Sequence, residues 1–205
     1  MFKKFFQNTC KPQGFGGKFM VNMMNKGHAK MAAWGFSHLS KNLVVNDALD
    51  IGCGGGANVA TLLKKYPAAK ITGMDYSEVS VSKASEVNDK DIRSGRCKIL
   101  QGDASALPFA PNSFDLVTAF ETVYFWPNIE NCFKQVYSSL RSNGLFLICN
   151  EESDPDNDPW AKIVDGMTVY STEQLQKLMA NAGFTSISCT ADANSKCICV
   201  IGKKA

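Results

Sequence analysis

Short apolar runs alternate with longer amphipathic stretches from Val44 onward. The runs predict five strands, at Ala48–Ile51, Lys70–Met74, Cys97–Gln101, Phe114–Phe120 and Leu145–Asn150. The stretches between them have the 3.6-residue period of helices, at Ala57–Tyr66, Glu78–Asn88 and Ile129–Leu140. Gly144 is expected to end the last of these helices. Strands that alternate with helices are typical of an α/β protein with a parallel sheet.

The C-terminal part of the chain has a different pattern. A final helix begins at Ser171, which has capping-box spacing to Gln174, and ends at Gly183. Two apolar runs follow, Thr185–Thr190 and Lys196–Ile201, with turn-forming residues between them. The runs are too close for a helical crossover, so we expect an antiparallel hairpin. The sequence therefore predicts a mostly parallel sheet that ends in an antiparallel pair.

The N-terminal segment, residues 1–43, is rich in Phe, Met, Lys and Gly. We expect one or two short helices there, forming a cap or lid over a domain of residues 44–205. The first residues, MFKKFF, are basic and aromatic but lack the apolar core of a secretory signal. We expect them to fold onto the cap, and weak peripheral contact with lipid is the alternative.

Composition narrows the class of protein further. A chain of 205 residues buries enough surface to form one domain without a metal or disulfide, and its net charge of +3 is too small for a dedicated nucleic-acid binder. No run reaches the ~20 apolar residues of a membrane span. The eight cysteines form no C-x-x-C pair, which favours reduced thiols. We therefore expect a cytoplasmic protein with no nucleic-acid partner, no stable membrane insertion and no metal ligands.

The glycine-rich segment LDIGCGGGA, residues 49–57, follows the first predicted strand and opens the first predicted helix. Glycines in such a turn let the backbone bend sharply and approach a ligand closely. The G-x-G-x-x-A spacing also fits a dinucleotide-binding loop. The segment alone does not show whether the loop binds NAD or another nucleotide-like cofactor.

Two carboxylates follow the next two predicted strands. Asp75, in GMDYS, can accept hydrogen bonds from both hydroxyls of a ribose. The alternative is that Asp75 merely caps the following helix. Ser77 can form that cap instead, which would leave the Asp75 carboxylate free for the ribose. Asp103, in GDASALPF, can accept a hydrogen bond from the amine of an adenine, and an ordinary turn aspartate is the alternative. An NAD site does not require an acidic residue at the position of Asp103.

These segments, together with SFDLV at residues 113–117, resemble the class I S-adenosylmethionine-dependent methyltransferases. They are most similar to the small-molecule branch that includes the ubiquinone and menaquinone C-methyltransferases. The resemblance covers roughly residues 20–202. It implies a Rossmann-like, seven-stranded, mostly parallel sheet of order 3-2-1-4-5-7-6 with the last strand antiparallel. It also implies S-adenosyl-L-methionine as the cofactor and S-adenosyl-L-homocysteine as its product. Separately, we expect no room in the chain for the second mononucleotide-binding half that an NAD enzyme needs.

The resemblance implies a role for each cofactor motif. The glycines would pack against the methionyl part of the cofactor, and Asp50 would hold its amino-acid end. Asp75 would bind the ribose, Tyr76 would lie against the adenine, and Asp103 with the Ala104 amide would contact N6 and N1 of the base. The predicted cofactor residues are Asp50, Gly52, Cys53, Gly54, Gly56, Asp75, Tyr76, Ser77, Gly102, Asp103, Ala104 and Phe120.

The segment ETVYFW, residues 121–126, is expected to meet the acceptor. It stands where amide- and base-directed N-methyltransferases often carry an Asn/Asp-Pro-Pro-Tyr/Phe sequence, and this difference counts against a nucleobase as acceptor. An aromatic wall suits a sulfonium cation and an apolar or planar acceptor. For Trp126, packing against the next helix is an equally weighted alternative.

The segment NMMNKGH, residues 22–28, followed by Trp34, resembles in part a pattern ahead of the fold in quinone C-methyltransferases. It favours a lid over the cofactor. His28 is the candidate general base, because imidazole exchanges protons readily near neutrality, and a structural histidine is the alternative. The candidate catalytic residues are His28, Glu121 and Tyr124. The candidate substrate contacts are His28, Trp34, Glu121, Tyr124, Trp126, Glu151 and Tyr170.

The sequence thus predicts an enzyme that methylates a small-molecule acceptor by in-line SN2 displacement. The acceptor would be held between the N-terminal cap and the C-terminal edge of the sheet, where alignment and exclusion of water carry most of the catalysis. A non-catalytic S-adenosylmethionine-binding regulatory protein is one alternative. An RNA methyltransferase is a weaker one, because the net charge is small.

Overall fold

The computed structural model describes residues 28–151, 153–156, 164–193 and 195–205. Its strands are β1 (Asp47–Ile51), β2 (Lys70–Asp75), β3 (Cys97–Gln101), β4 (Phe114–Phe120), β5 (Leu140–Asn150), β6 (Thr185–Ala191) and β7 (Ile198–Lys203). They form one sheet of order β3-β2-β1-β4-β5-β7-β6. Strands β1 to β5 pair in parallel, and β7 runs antiparallel to both β5 and β6. The predicted fold class, strand order and antiparallel end are confirmed.

Six α-helices connect or cover these strands in the described part. They are α1 (Ala29–Ser37), α2 (Ala57–Lys65), α3 (Glu78–Val87), α4 (Asp89–Arg93), α5 (Ile129–Ser139) and α6 (Thr172–Ala182), with a 3₁₀ turn at Val123–Phe125. The predicted capping box of α6 is present: Gln174 N donates to Ser171 Oγ at 3.3 Å, and Ser171 N donates to Gln174 Oε1 at 2.8 Å. The sequence pattern missed α4, which follows α3 after a single residue.

The junction between α5 and β5 differs from the sequence-based expectation. Gly144 does not end the helix, which stops at Ser139; it lies inside β5, and the left-handed residue is its neighbour Asn143, with φ 67°. Asn143 N donates to Lys204 O, and Lys204 N donates to Gly144 O, each at 2.9 Å. Pairing with the C-terminal residues therefore takes this segment into the sheet.

Two hydrophobic cores lie on opposite faces of the sheet, as the period-2 alternation along β4 requires. Val117 and Ala119 belong to the core that α5 and α6 cover. Leu116 and Phe120 belong to the core that α1, α2 and α3 cover. Helices on both faces leave the carboxyl ends of the parallel strands as the accessible edge.

Helix α1 is the part of the predicted N-terminal cap that the structure describes. It lies close to the sheet at Gly35, where a Cβ atom would come within 2.8 Å of Cys149 Sγ and 2.9 Å of Phe120 Cε1. The aromatic start MFKKFF and residues 22–27 lie outside the described residues. In the part of the chain that is described, each helix is too short or too polar to cross a membrane.

Candidate functional site

A cavity of about 450 Å³ lies at the carboxyl ends of β1 to β4, the edge where ligands bind in open α/β sheets. Helix α1 contributes to its wall. Twelve of the predicted site residues line the cavity: His28, Gly52, Cys53, Gly54, Asp75, Tyr76, Gly102, Asp103, Ala104, Phe120, Glu121 and Trp126. The lining formed by the described residues does not include Trp34, Asp50, Gly56, Ser77, Tyr124, Glu151 or Tyr170.

The glycine loop is held to the second strand by its own backbone. Gly52 N and Cys53 N both donate to Met74 O, at 2.7 and 3.0 Å. Gly52 has φ +72°, and a Cβ atom there would lie 2.0 Å from Thr122 Oγ1. Gly54 has φ +50°, but a Cβ atom there would meet nothing within 4 Å. Gly52 therefore permits tight packing of the loop, whereas Gly54 exposes its backbone to the cavity.

Gly56 has a structural position that differs from its predicted one. It is the N-cap residue of α2, with φ +81°, and it lies outside the cavity lining. A Cβ atom at Gly56 would come within 2.5 Å of Asn88 Nδ2 and 2.8 Å of Ala84 Cα. Asn88 Nδ2 also donates to Gly56 O at 3.1 Å. This glycine allows α2 to approach α3, so its direct contact with a cofactor is not supported.

The Asp75 carboxylate is buried at the end of β2 and is already hydrogen-bonded. Gly54 N donates to Oδ2 and Ser77 N donates to Oδ1, each at 2.9 Å. Burial raises the pKa of Asp75, and these two bonds oppose the rise. Ser77 does cap α3, through a bond from Ser80 N at 3.4 Å. Capping by Ser77 is thus confirmed, but Asp75 is not free of other bonds, because it also holds the loop; its two oxygens together still keep a lone pair for a further donor.

Asp50 lies beneath the loop and is 1% exposed. Thr118 Oγ1 donates to its Oδ1 at 2.6 Å, while Oδ2 finds no hydrogen-bond partner among the described residues. Burial raises the pKa of Asp50 to about 7, although the bond from Thr118 lowers it. Asp50 does not reach the cavity wall. It can therefore support a cofactor's amino-acid end only from behind the glycine loop.

Asp103 forms the turn of the alternative interpretation and also lines the cavity. Its Oδ1 accepts hydrogen bonds from Ser105 N and Ser105 Oγ, both at 2.7 Å, as a turn aspartate does. The residue also lines the cavity beside Ala104. Tyr76, on the same rim, is 37% exposed. These positions are compatible with an adenine-binding edge.

Glu121 organises the polar end of the cavity. It has a left-handed backbone with φ +57°, directly after β4. Its Oε1 accepts hydrogen bonds from Tyr124 Oη at 3.1 Å and from Glu151 N. One ligating atom each of His28, Glu121 and Glu151 lie within 4.8 Å of one another. The structure thus gathers three residues that the sequence predicted as separate contacts, while the buried Tyr124 contacts Glu121 and does not line the cavity.

Three predicted aromatic contacts belong mainly to the packing of the protein. Trp126 is 8% exposed, stacks on Phe146 at 6.2 Å between ring centroids, and contacts Phe133 of α5 edge-on. The alternative expected for Trp126, packing against the next helix, is thus observed, although Trp126 also borders the cavity. Trp34 packs edge-on against His38, and Tyr170 packs on the core under α5 and α6. Neither one reaches the cavity.

Several lining residues were missed by the sequence reasoning. Ala29, Ala32 and Ala33 of α1 form a wall of small side chains, and their i, i+3, i+4 spacing could have indicated it. Asn58 and Thr61 stand one helical turn apart on α2. Gly166 also belongs to the lining, as do Thr122 and Phe125, which the predicted segment 121–126 already contains. Gly166 comes from the distant segment before α6, and no local signal marks it.

Comparisons with known proteins agree with this geometry. Residues 49–148 match the family model described as a methyltransferase domain. Cycloartenol-C-24-methyltransferase 1 of Oryza sativa subsp. japonica is 28% identical over 150 residues, which cover 68% of this chain and 43% of that protein. Sterol 24-C-methyltransferase of Clavispora lusitaniae is 26% identical over 187 residues, covering 83% and 50%. The chain thus spans about half of the length of these two relatives.

The fold has counterparts among solved structures. Human N-acetylserotonin methyltransferase in complex with SAM superposes with a TM-score of 0.75 at 16% sequence identity. The match covers 93% of this chain and 56% of the human one. At this identity the comparison shows a shared fold.

Proposed function

We propose that this protein is a class I S-adenosylmethionine-dependent methyltransferase that transfers a methyl group to a small-molecule acceptor, because residues 49–148 match the methyltransferase-domain model. The observation that carries the proposal is the cavity at the carboxyl edge of the sheet. The glycine loop and Asp75 line that cavity, and so do His28 and Glu121, two side chains that can accept a proton.

The cofactor would lie along the glycine loop and Asp75. The open backbone at Gly54 leaves room for the methionyl part, and Asp75 is placed to accept hydrogen bonds from the ribose. Tyr76, Asp103 and Ala104 form the rim proposed for the adenine. The bond between Gly54 N and Asp75 Oδ2 supports one binding surface made from both motifs.

The acceptor would occupy the part of the cavity lined by α1, Phe120 and Phe125, which is mainly apolar. The walls of small side chains on α1, together with Phe120 and Phe125, favour a molecule with a hydrocarbon or planar body. Relatives named for methylation at C-24 of sterols support carbon as the methylated atom. We therefore propose an apolar acceptor whose reacting end enters the cavity beneath α1. Helix α1 would form part of the cap over it. We propose the cytoplasm as the location of the protein.

The proposed mechanism needs alignment more than a strong base. The sulfonium of S-adenosylmethionine is already activated, so the side chains must hold acceptor, methyl and sulfur in line and exclude water. A proton that leaves the acceptor has His28, Glu121 and Glu151 as the gathered proton-accepting groups of the cavity's polar end. The role of His28 as general base remains a prediction.

Radiolabelled S-adenosylmethionine tests the proposal with a panel of acceptors. The panel should hold an apolar alkene such as a sterol side chain, a phenol, an amine and an RNA. We expect label to enter an apolar acceptor and not the RNA. Binding of S-adenosylhomocysteine without transfer to any acceptor would favour a non-catalytic binding protein. Transfer to RNA alone would contradict the small-molecule proposal.

A further inference from the structure

Three potential metal ligands meet at the polar end of the cavity. His28 precedes α1, Glu121 follows β4, and Glu151 follows β5. One imidazole nitrogen and one oxygen of each carboxylate lie within 4.8 Å of one another, and all three residues are partly buried. His28 and Glu121 also line the cavity. The chain therefore brings these groups together from distant positions, at a place a ligand can reach.

The donor set has a recognisable chemistry. Imidazole favours first-row transition-metal dications, and carboxylate oxygens accept Mn²⁺, Fe²⁺ and Zn²⁺ readily. Bonds of roughly 2.0–2.2 Å place the ligand atoms of one tetrahedral ion about 3.3–3.6 Å apart. The three atoms lie within 4.8 Å of one another, so the most distant pair has to approach by at most roughly 1.5 Å. Rotations of the two glutamate side chains and of the imidazole can supply this approach.

The electrostatics and the hydrogen bonds favour an ion at the same place. Two carboxylates this close repel each other when they are partly shielded from water, and a dication neutralises both charges. Tyr124 Oη and Glu151 N both donate to Glu121 Oε1, which orients that carboxylate. Hydrogen bonds of this kind commonly orient the ligands of metal sites.

We propose that His28, Glu121 and Glu151 bind a first-row transition-metal dication such as Mn²⁺ or Zn²⁺, with a coordination position open to the cavity. An acceptor oxygen or a water molecule would complete the coordination there. An imidazole nitrogen that holds the ion cannot also accept a proton, so a metal-bound His28 would not be the general base. The site goes beyond the proposed function, because an ion can bind whether or not a methyl group is transferred.

Calorimetric titration of the chelator-treated full chain with Mn²⁺ and with Zn²⁺ tests this site. We expect one ion per chain, and Mg²⁺, which prefers oxygen ligands, should bind more weakly than Mn²⁺. His28→Gln and Glu151→Gln should each weaken binding at least tenfold. Glu130→Gln changes an exposed carboxylate in the first turn of α5 and should leave binding unchanged.

Two results would overturn the site: no saturable binding of Mn²⁺ or Zn²⁺ by the wild type, or wild-type affinity in both ligand variants. Thermal unfolding and titration with S-adenosylhomocysteine on the same samples report whether each variant is folded. Metal binding without S-adenosylhomocysteine binding would support the site and remove the proposed function. S-adenosylhomocysteine binding without metal binding would remove the metal site and leave the proposed function supported.

Discussion

The Asp75 carboxylate accepts a hydrogen bond from the backbone N–H of Gly54, with 2.9 Å between Oδ2 and N. This bond joins the acidic motif after β2 to the glycine loop after β1. Because Oδ1 of the same carboxylate receives Ser77 N, Asp75 fixes the loop and the start of α3 together. The residue predicted to contact the ribose therefore also shapes the surface on which the methionyl part would lie.

A matched pair of glycine substitutions separates cofactor contact from backbone strain. Gly54 and Gly95 have φ values of +50° and +77°, and a Cβ atom at either would meet nothing within 4 Å. Gly54→Ala and Gly95→Ala should therefore each lower the free energy of unfolding by a similar ~1–2 kcal/mol. Only Gly54 lines the cavity. We expect Gly54→Ala alone to weaken S-adenosylhomocysteine binding, by about tenfold or more, which is ~1.4 kcal/mol.

Urea unfolding and calorimetry measure the two effects. Equal affinity for S-adenosylhomocysteine in the two variants would remove Gly54 from the cofactor surface. The surface-exposed Gly95 serves as the control for strain.

The raised pKa of Asp50 predicts a pH dependence of stability. Burial raises the pKa of Asp50 from its ordinary value of 3.8 to about 7 in the folded chain, so the folded state retains a proton that the unfolded state loses. The stabilisation by Asp50 is present below about pH 4 and is lost as the pH rises through 7. Asp50→Asn removes this titration. The free energy of unfolding of the variant, relative to wild type, should rise by up to about 4 kcal/mol from pH 4 to pH 7.

Urea unfolding of both proteins across that range provides the measurement. A constant difference between wild type and Asp50→Asn would show that Asp50 titrates normally. Asp89→Asn, at an exposed site on α4, should leave the profile unchanged.

Neighbouring aromatics in the 121–126 segment should have different roles. Trp126 packs between Phe146 and Phe133, so Trp126→Ala should lower the free energy of unfolding by about 3–5 kcal/mol. Phe125 is less buried and lines the cavity. We expect Phe125→Ala to cost less stability and to raise the KM for the acceptor. Chemical unfolding and transfer kinetics check this contrast, and equal stability losses would contradict it.

The sequence predicted the fold well because its signals are local and periodic. The apolar runs of the parallel strands, the capping box at Ser171 and the close spacing of the last two runs each follow from a short stretch. The prediction that Gly144 ends a helix was wrong, although a glycine after a helix is typical of a C-terminal cap. Here Asn143 and Gly144 pair with the distant Lys204, and this pairing places them in a strand.

The site was less predictable because its groups come from distant parts of the chain. No local pattern shows that Glu121 and Glu151 meet, since that follows from the pairing of β4 with β5. The spacing of the glycines in the sequence likewise does not show that Gly56 allows α2 to pack on α3. Its role becomes visible only through the side chain of Asn88.

Calorimetric titration of S-adenosylhomocysteine tests the central claim most directly, with wild type, Asp75→Ala and Asp89→Ala compared. We expect one site in the wild type and the same affinity in Asp89→Ala, which changes an exposed carboxylate. Asp75→Ala, confirmed as folded by its thermal transition, should bind about 10- to 100-fold more weakly, because it loses hydrogen bonds to a charged acceptor. No saturable binding by the wild type, or undiminished binding by folded Asp75→Ala, would contradict the account.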